Sequence, residues 1–96
     1  MKPSETLSLN RDLVRRLVEK SNMSNPRLFG SALHGDETDT SDLDILIDPS
    51  QETSLLDLVA LQMQIQDALH IKVDLLTPNS LPHKFRDAVL AEAAAI

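Results

Sequence analysis

The sequence predicts a two-layer α/β (α+β) fold, a small mixed sheet with helices on one face, in the order α-β-β-α-β-α. Three observations predict it. Leu9, Leu13, Val14, Leu17 and Val18 recur at the spacing of one helix face. Two short stretches, Asp42 to Ile47 and Ile71 to Leu76, set apolar residues at every second position, as strands do. Between them Leu55, Leu58, Val59, Gln62, Ile65 and Leu69 follow one helical stripe. A strand, a helix and a strand in that order make a parallel β-α-β pair, right-handed in nearly all known cases.

The elements follow in order. The 96 residues read as one domain, 1–96, with 1–7 a flexible lead-in, since Pro3 and the polar Ser4, Glu5 and Thr6 offer little to bury. The first helix then runs to Ser21-Asn22. Pro26 to Phe29 forms a short strand entering the Gly30-Ser31 turn, and residues 32–41, rich in Gly, Asp, Thr and Ser, read as a loop. The second strand covers about 43–47 and stops at Asp48-Pro49. Ser54 and Asp57 have the form of a capping box that starts the 54–69 helix, and His70 closes it. The third strand is 71–76. Thr77 to Ser80 is a turn with Ser80 as N-cap, after which Leu81, Phe85, Ala88 and Val89 give the last helix its apolar stripe.

Composition narrows the function. A net charge of −6 leaves no concentrated basic surface for a nucleic-acid backbone, and Phe29 and Phe85 are the only aromatic residues, too few for a base-stacking platform. Direct nucleic-acid binding is therefore not expected. The absence of Cys removes disulfides, thiolate metal sites and Cys nucleophiles together. No apolar run approaches ~18 residues and the first residues lack the apolar segment of a signal peptide, so no membrane is expected and the cytoplasm is the expected location.

The chemistry concentrates between Leu28 and Asp48. Asp42 and Asp44 lie two apart at the start of a strand, so both carboxylates project to one face from Cα atoms roughly 6.6 Å apart, while Leu43, Ile45 and Ile47 project to the other. In Ile71 to Leu76 the single acid, Asp74, falls on the face opposite Ile71, Val73 and Leu75. If the two strands are neighbours, Asp74 joins Asp42 and Asp44 in a three-carboxylate cluster on the open face. Adjacent like charges repel, a pattern that divalent cations neutralise. Ahead of them the Gly30-Ser31 turn offers backbone N–H groups and a hydroxyl to phosphate oxygens. Taken alone that turn is an ordinary strand end; beside the acids it suggests a nucleoside triphosphate.

Gly30-Ser31, Gly35 four residues beyond the Ser, Ser41-Asp42-Leu43-Asp44, and Asp74 on the next strand resemble the nucleotidyltransferase superfamily of DNA polymerase beta and kanamycin nucleotidyltransferase. The short length is similar to its minimal members, the MNT-domain proteins, and the likeness extends through the tail from Leu81. The resemblance implies a two-layer nucleotidyltransferase fold and a magnesium-dependent transfer of a nucleoside monophosphate, AMP from ATP, to a hydroxyl. It implies that Asp42, Asp44 and Asp74 are catalytic and bind two Mg²⁺ ions, which Mn²⁺ can replace. It implies further that Ser31 and the local N–H groups hold the β- and γ-phosphates while Gly30 and Gly35 allow close approach. The implied partner is a HEPT-type toxin ribonuclease, modified on a tyrosine within a hetero-oligomer, with this chain as antitoxin.

The sequence departs from many MNT proteins in carrying Leu33-His34 before Gly35 where they have Arg. A neutral imidazole is a weaker phosphate ligand than a guanidinium. The alternative reading is accordingly an antitoxin with a weak or silent site that neutralises its partner by binding alone. A small-molecule transferase of the aminoglycoside type is disfavoured, because its acceptor pocket needs a second domain.

The remaining polar residues read as scaffold or solvent-facing. Asp36, Glu37, Asp39 and Asp48 are expected to be solvated, His70 and His83 to be helix-end residues, and Lys72 to pair with a carboxylate or meet a phosphate, the ion pair being slightly favoured. Arg11, Arg15, Arg16 and Lys20 form a band on the first helix, by default a solvated face.

Overall fold

Leu43, Ile45, Leu46 and Ile47 are all completely buried, which places their strand inside the sheet. In the computed structural model, which describes residues 1–96, the elements are α1 (Pro3–Leu9), α2 (Arg11–Lys20), β1 (Ser24–Phe29), α3 (Ser31–His34), β2 (Leu43–Asp48), α4 (Leu55–Leu69), β3 (Val73–Leu76), α5 (His83–Glu92) and β4 (Ala94–Ala95), with a 3₁₀ turn at Pro78–Ser80. The sheet order is β3-β2-β1-β4. As expected, β2 and β3 are parallel; β1 runs antiparallel to both β2 and β4, so the sheet is mixed. Val14 and Val18 from α2 and Leu61, Ile65 and Leu69 from α4 close over Leu43, Ile45, Ile47, Val73 and Leu75 in one core. Each fully buried Leu or Ile contributes roughly 1.5–3 kcal/mol relative to exposure.

The α4 start matches its expected capping box: the Asp57 N–H donates to Ser54 Oγ at 3.2 Å and the Ser54 N–H to Asp57 Oδ2 at 2.9 Å. His70 ends the helix in the left-handed region at φ 57°. The edge of β3 is closed from the same helix. The Val73 and Leu75 N–H groups donate to Gln66 Oε1 (3.0 Å) and Gln62 Oε1 (2.9 Å), so the outward donors of an edge strand are already taken.

Several expectations are corrected. Residues 1–7 are no loose lead-in: Pro3 to Leu9 is helical, with Pro3 and Leu7 buried, Leu7 within the core, and Glu5 accepting the Lys2 N–H at 3.0 Å. The helical stretch breaks at Asn10, leaving Leu9 73% exposed. The start of the 32–41 loop is the single turn of α3, and β1 begins two residues early, at Ser24. Ser80 does not cap the last helix; its hydroxyl accepts the Thr77 N–H inside the 3₁₀ turn, and Pro82 precedes α5. Of the predicted last stripe only Leu81 is buried, and Phe85 is 55% exposed.

The tail also adds a strand that periodicity did not announce. Ala94 and Ala95 pair with Leu28 and Arg27, Ile96 enters the core, and Arg15 Nε donates to the Ile96 carbonyl at 2.8 Å. The Arg band of α2 is thus partly a clamp on β4. Nor is the acid face of the sheet wholly open. Leu46, on the Asp44 side of β2, and Leu81 are buried outside the main core, where the segment carrying the 3₁₀ turn meets β2.

Candidate active site

Parallel register sets Asp44 of β2 directly beside Asp74 of β3. Because register partners share a face, both carboxylates leave the side opposite Ile45 and Val73. On the other flank of Asp44 stands Phe29 of β1. The expected pair of neighbouring acids is therefore present, and its electrostatics are unfavourable. Burial, then the Asp74 and Asp42 charges, push the Asp44 carboxyl up to about 6.

Asp42 lies just ahead of β2, and its Oδ2 is 3.5 Å from Lys72 Nζ, the carboxylate pairing expected of that lysine. No group of three acidic or histidine side chains is preformed for a metal ion. The three-carboxylate cluster is thus drawn as an opposed pair with a third acid engaged by a cation. Two hard oxygen donors forced together, one with a raised pKa, fit a divalent cation that would relieve their repulsion.

Gly30 ties the turn to these acids. It adopts φ 77° and ψ −151°, a conformation that strains an L-residue, and a Cβ built there would fall 2.1 Å from Asp44 Oδ2. The carboxylate of Asp44 occupies the space a side chain would need. Beyond it, the Leu33 and His34 N–H groups donate to the Gly30 carbonyl (3.1 and 3.2 Å), and Gly35, at φ 79°, closes the turn onto the Ser31 carbonyl. The Ser31 and Ala32 N–H groups are left without an acceptor in the chain, as at any helix start. Hydrogen-bond donors thus border the acid pair.

Other predicted residues fall outside this group. His34 Nε2 lies 2.9 Å from Glu92 Oε2, so the ring joins α3 to the end of α5. Glu37, expected in solvent, is 8% exposed and accepts the Ser4 N–H at 2.8 Å, serving the start of α1. Asp48, also expected in solvent, pairs with Arg27 and accepts from Asn25 Nδ2 at 3.0 Å. Sequence reasoning missed Phe29 and Glu92 as neighbours of the turn and acids, and both are placed by tertiary pairing alone. No cavity covers Asp44 and Asp74; the broadest surface depression, about 650 Å³, lies to one side among Gln66, Asp67, His70, Ile71 and Lys72.

Residues 11–96 match the model of the polymerase beta nucleotidyltransferase family, which takes in the turn, all three acids and the tail. The chain belongs to the polymerase beta nucleotidyltransferase family. It is a nucleotidyltransferase, of a family that works on nucleoside triphosphates with a divalent cation. It is 40% identical over 85 residues to the Methanocaldococcus jannaschii protein MJ0126, named as a candidate protein adenylyltransferase, covering 84% of this chain and 87% of that one. A solved minimal nucleotidyltransferase is 31% identical with a TM-score of 0.86, covering 97% of this chain and 95% of its own. At 20% identity and a TM-score of 0.69, the fold is also that of a chain in the complex of a tri-AMPylated Shewanella oneidensis HEPN toxin with its MNT antitoxin, over 92% of this chain and 69% of that one. The nucleotidyltransferase fold expected from the motifs is therefore the fold of the chain. None of its helices is long and apolar enough to cross a membrane.

Proposed function

We propose that this nucleotidyltransferase is a protein adenylyltransferase that moves AMP from ATP to a tyrosine hydroxyl of a HEPT/HEPN-type toxin and so acts as its antitoxin. The observation that carries the reading is the opposed Asp44–Asp74 pair packed against the Gly30–Ser31 turn. Asp42, Asp44 and Asp74 would hold Mg²⁺, which when bound offsets charge on the attacking and leaving oxygens of an in-line displacement. Ser31 Oγ and the free N–H groups of the turn orient the β- and γ-phosphates, with Gly30 and Gly35 permitting the close approach. Asp74, on the β3 edge, accepts the acceptor's proton as its oxygen attacks the α-phosphorus and pyrophosphate leaves. The names carried by the M. jannaschii relative and by the S. oneidensis complex support AMP as the group and a HEPN toxin as the acceptor. The cytoplasm, where ATP and such a toxin meet, is the proposed location.

Intact-mass measurement of the toxin after incubation with this chain, ATP and Mg²⁺ tests it. The expected result is added mass in steps of one AMP, lost in Asp42→Asn with Asp44→Asn. A toxin of unchanged mass that is nonetheless inhibited supports the second reading, a silent antitoxin that acts by binding, which the engagement of His34 by Glu92 favours.

A further inference from the structure

The outward face of α4 is apolar and carries no charge along its middle. Leu55, Leu56, Val59 and Met63 are 76%, 79%, 45% and 56% exposed, and Leu58 to Gln66 contains no charged residue. By contrast, the surface of α2 is covered by Arg, Asp, Glu and Lys, as a solvated helix requires. The α4 face continues into a groove of about 280 Å³ between Leu55, Val59, Leu75, Leu76 and Ser80. Leu76 stands two residues beyond Asp74 on the same strand, hence on the same face and about 6.6 Å along it. An uncharged apolar strip therefore begins beside Asp74 and wraps around the end of β3 onto α4.

We propose that this strip docks the protein that presents the acceptor hydroxyl, through an amphipathic helix whose apolar anchors are flanked by Lys or Arg; the proposal rests on the protein-acceptor reading above. Charge selects that occupant. Exposed Glu52, Asp57 and Asp67, on α4 and its approach, outnumber Lys20 and Lys72, the Lys residues that share their surface depressions, on a chain of net charge −6. A second copy therefore brings net-acidic surfaces together, while a basic rim is complementary. Mode follows from the edge of β3: with the Val73 and Leu75 N–H groups taken by Gln66 and Gln62, a partner cannot add a strand there and docks through side chains. A protein seated on Leu76 and α4 lies next to Asp74, the position an attacking hydroxyl needs.

The test uses Leu55→Lys with Val59→Lys, both exposed positions, and Leu9→Lys on α1 as the control. The probe is the purified HEPN-type toxin, its affinity measured by calorimetry and its modification by intact mass. The double variant is expected to bind toxin at least ten-fold more weakly and to modify it correspondingly more slowly. It should keep the wild-type Mn²⁺–ATP affinity and monomer melting curve, and the control should bind as wild type does. Undiminished toxin binding by the double variant overturns the proposal. So does a wild type that sediments as a homodimer dissolved by the double variant, or one that does not bind the toxin at all. Absence of AMP addition with toxin bound overturns the transfer reading alone, and the affinity ratio then decides the docking surface.

Discussion

Asp44 is held in a position that an isolated carboxylate would avoid. Its pKa is pushed up to about 6 by burial first and then by Asp74 and Asp42, above the unfolded value of 3.8. A raised carboxyl pKa means that the folded state binds the proton more tightly. Its stabilising contribution is complete below about pH 3.8 and is lost as pH rises through 6. Asp44→Asn, which does not titrate, should gain on the wild type across that window and be the more stable protein at pH 7 in metal-free buffer. Allowing for solvent screening of a partly exposed group, the gain is about 1 kcal/mol. Urea denaturation of both proteins at pH 4 and pH 7 checks it, and a variant less stable at pH 7 contradicts the repulsion. Gly30 belongs to the same contact. Gly30→Ala would put a methyl group 2.1 Å from Asp44 Oδ2 at φ 77°, so it should lose about 1–3 kcal/mol, whereas Gly35→Ala, with open space, suffers only the backbone strain. Melting curves of the two variants should separate accordingly.

At the scale of elements, periodicity located what local chemistry dictates and missed what tertiary contact decides. The β2–α4–β3 unit was legible because Ser54 and Asp57 cap, Ile65 and Leu69 repeat, and Asp44 and Asp74 alternate with buried neighbours. Yet Leu55 and Val59 of the expected α4 stripe are exposed, and Leu61, outside it, is buried. Helix α1 was not, since Pro3 and Leu7 look too sparse to bury until Glu37, thirty-odd residues on, accepts the Ser4 N–H. Strand β4 was invisible for the opposite reason: Ala94 and Ala95 favour a helix, and only pairing to Arg27 and Leu28 draws them out. The acids and the turn glycines could be named from spacing, but not the diversion of Asp42 to Lys72, which depends on where a flexible lysine finds its partner. Gln62 falls on the expected α4 stripe without showing its purpose, and nothing in the sequence singles out Gln66. Replacing both by Ala strips acceptors from two strand-edge donors, for an expected loss of about 1–2 kcal/mol and a greater tendency to aggregate through the freed edge. Denaturation midpoints and light scattering measure the two effects; a double variant that is neither destabilised nor stickier would show that water serves those donors equally well.

The whole molecule is a flat two-layer plate of 35 × 31 × 18 Å, with its acid pair on a face that no cavity covers. A site of that form is open to a large acceptor and has few walls of its own with which to exclude water or grip a small one. Binding and chemistry should therefore be separable by one substitution. Asp74→Asn is nearly isosteric and lies on the sheet face away from the core, so the strand register with Asp44 and the apolar strip beyond Leu76 are kept. It removes a negative charge from beside Asp44, a proposed metal ligand and the proposed acceptor of the hydroxyl proton. The variant should bind the toxin within about three-fold of wild type, yet transfer AMP at least a hundred-fold more slowly, in the range seen when a general base is lost. Toxin treated with wild type and then freed of it should stay inhibited, because the modification is covalent; toxin treated with Asp74→Asn should recover once separated. If both preparations inhibit only while bound, and neither changes the toxin's mass, the acid pair is not catalysing transfer and the plate acts as a cover.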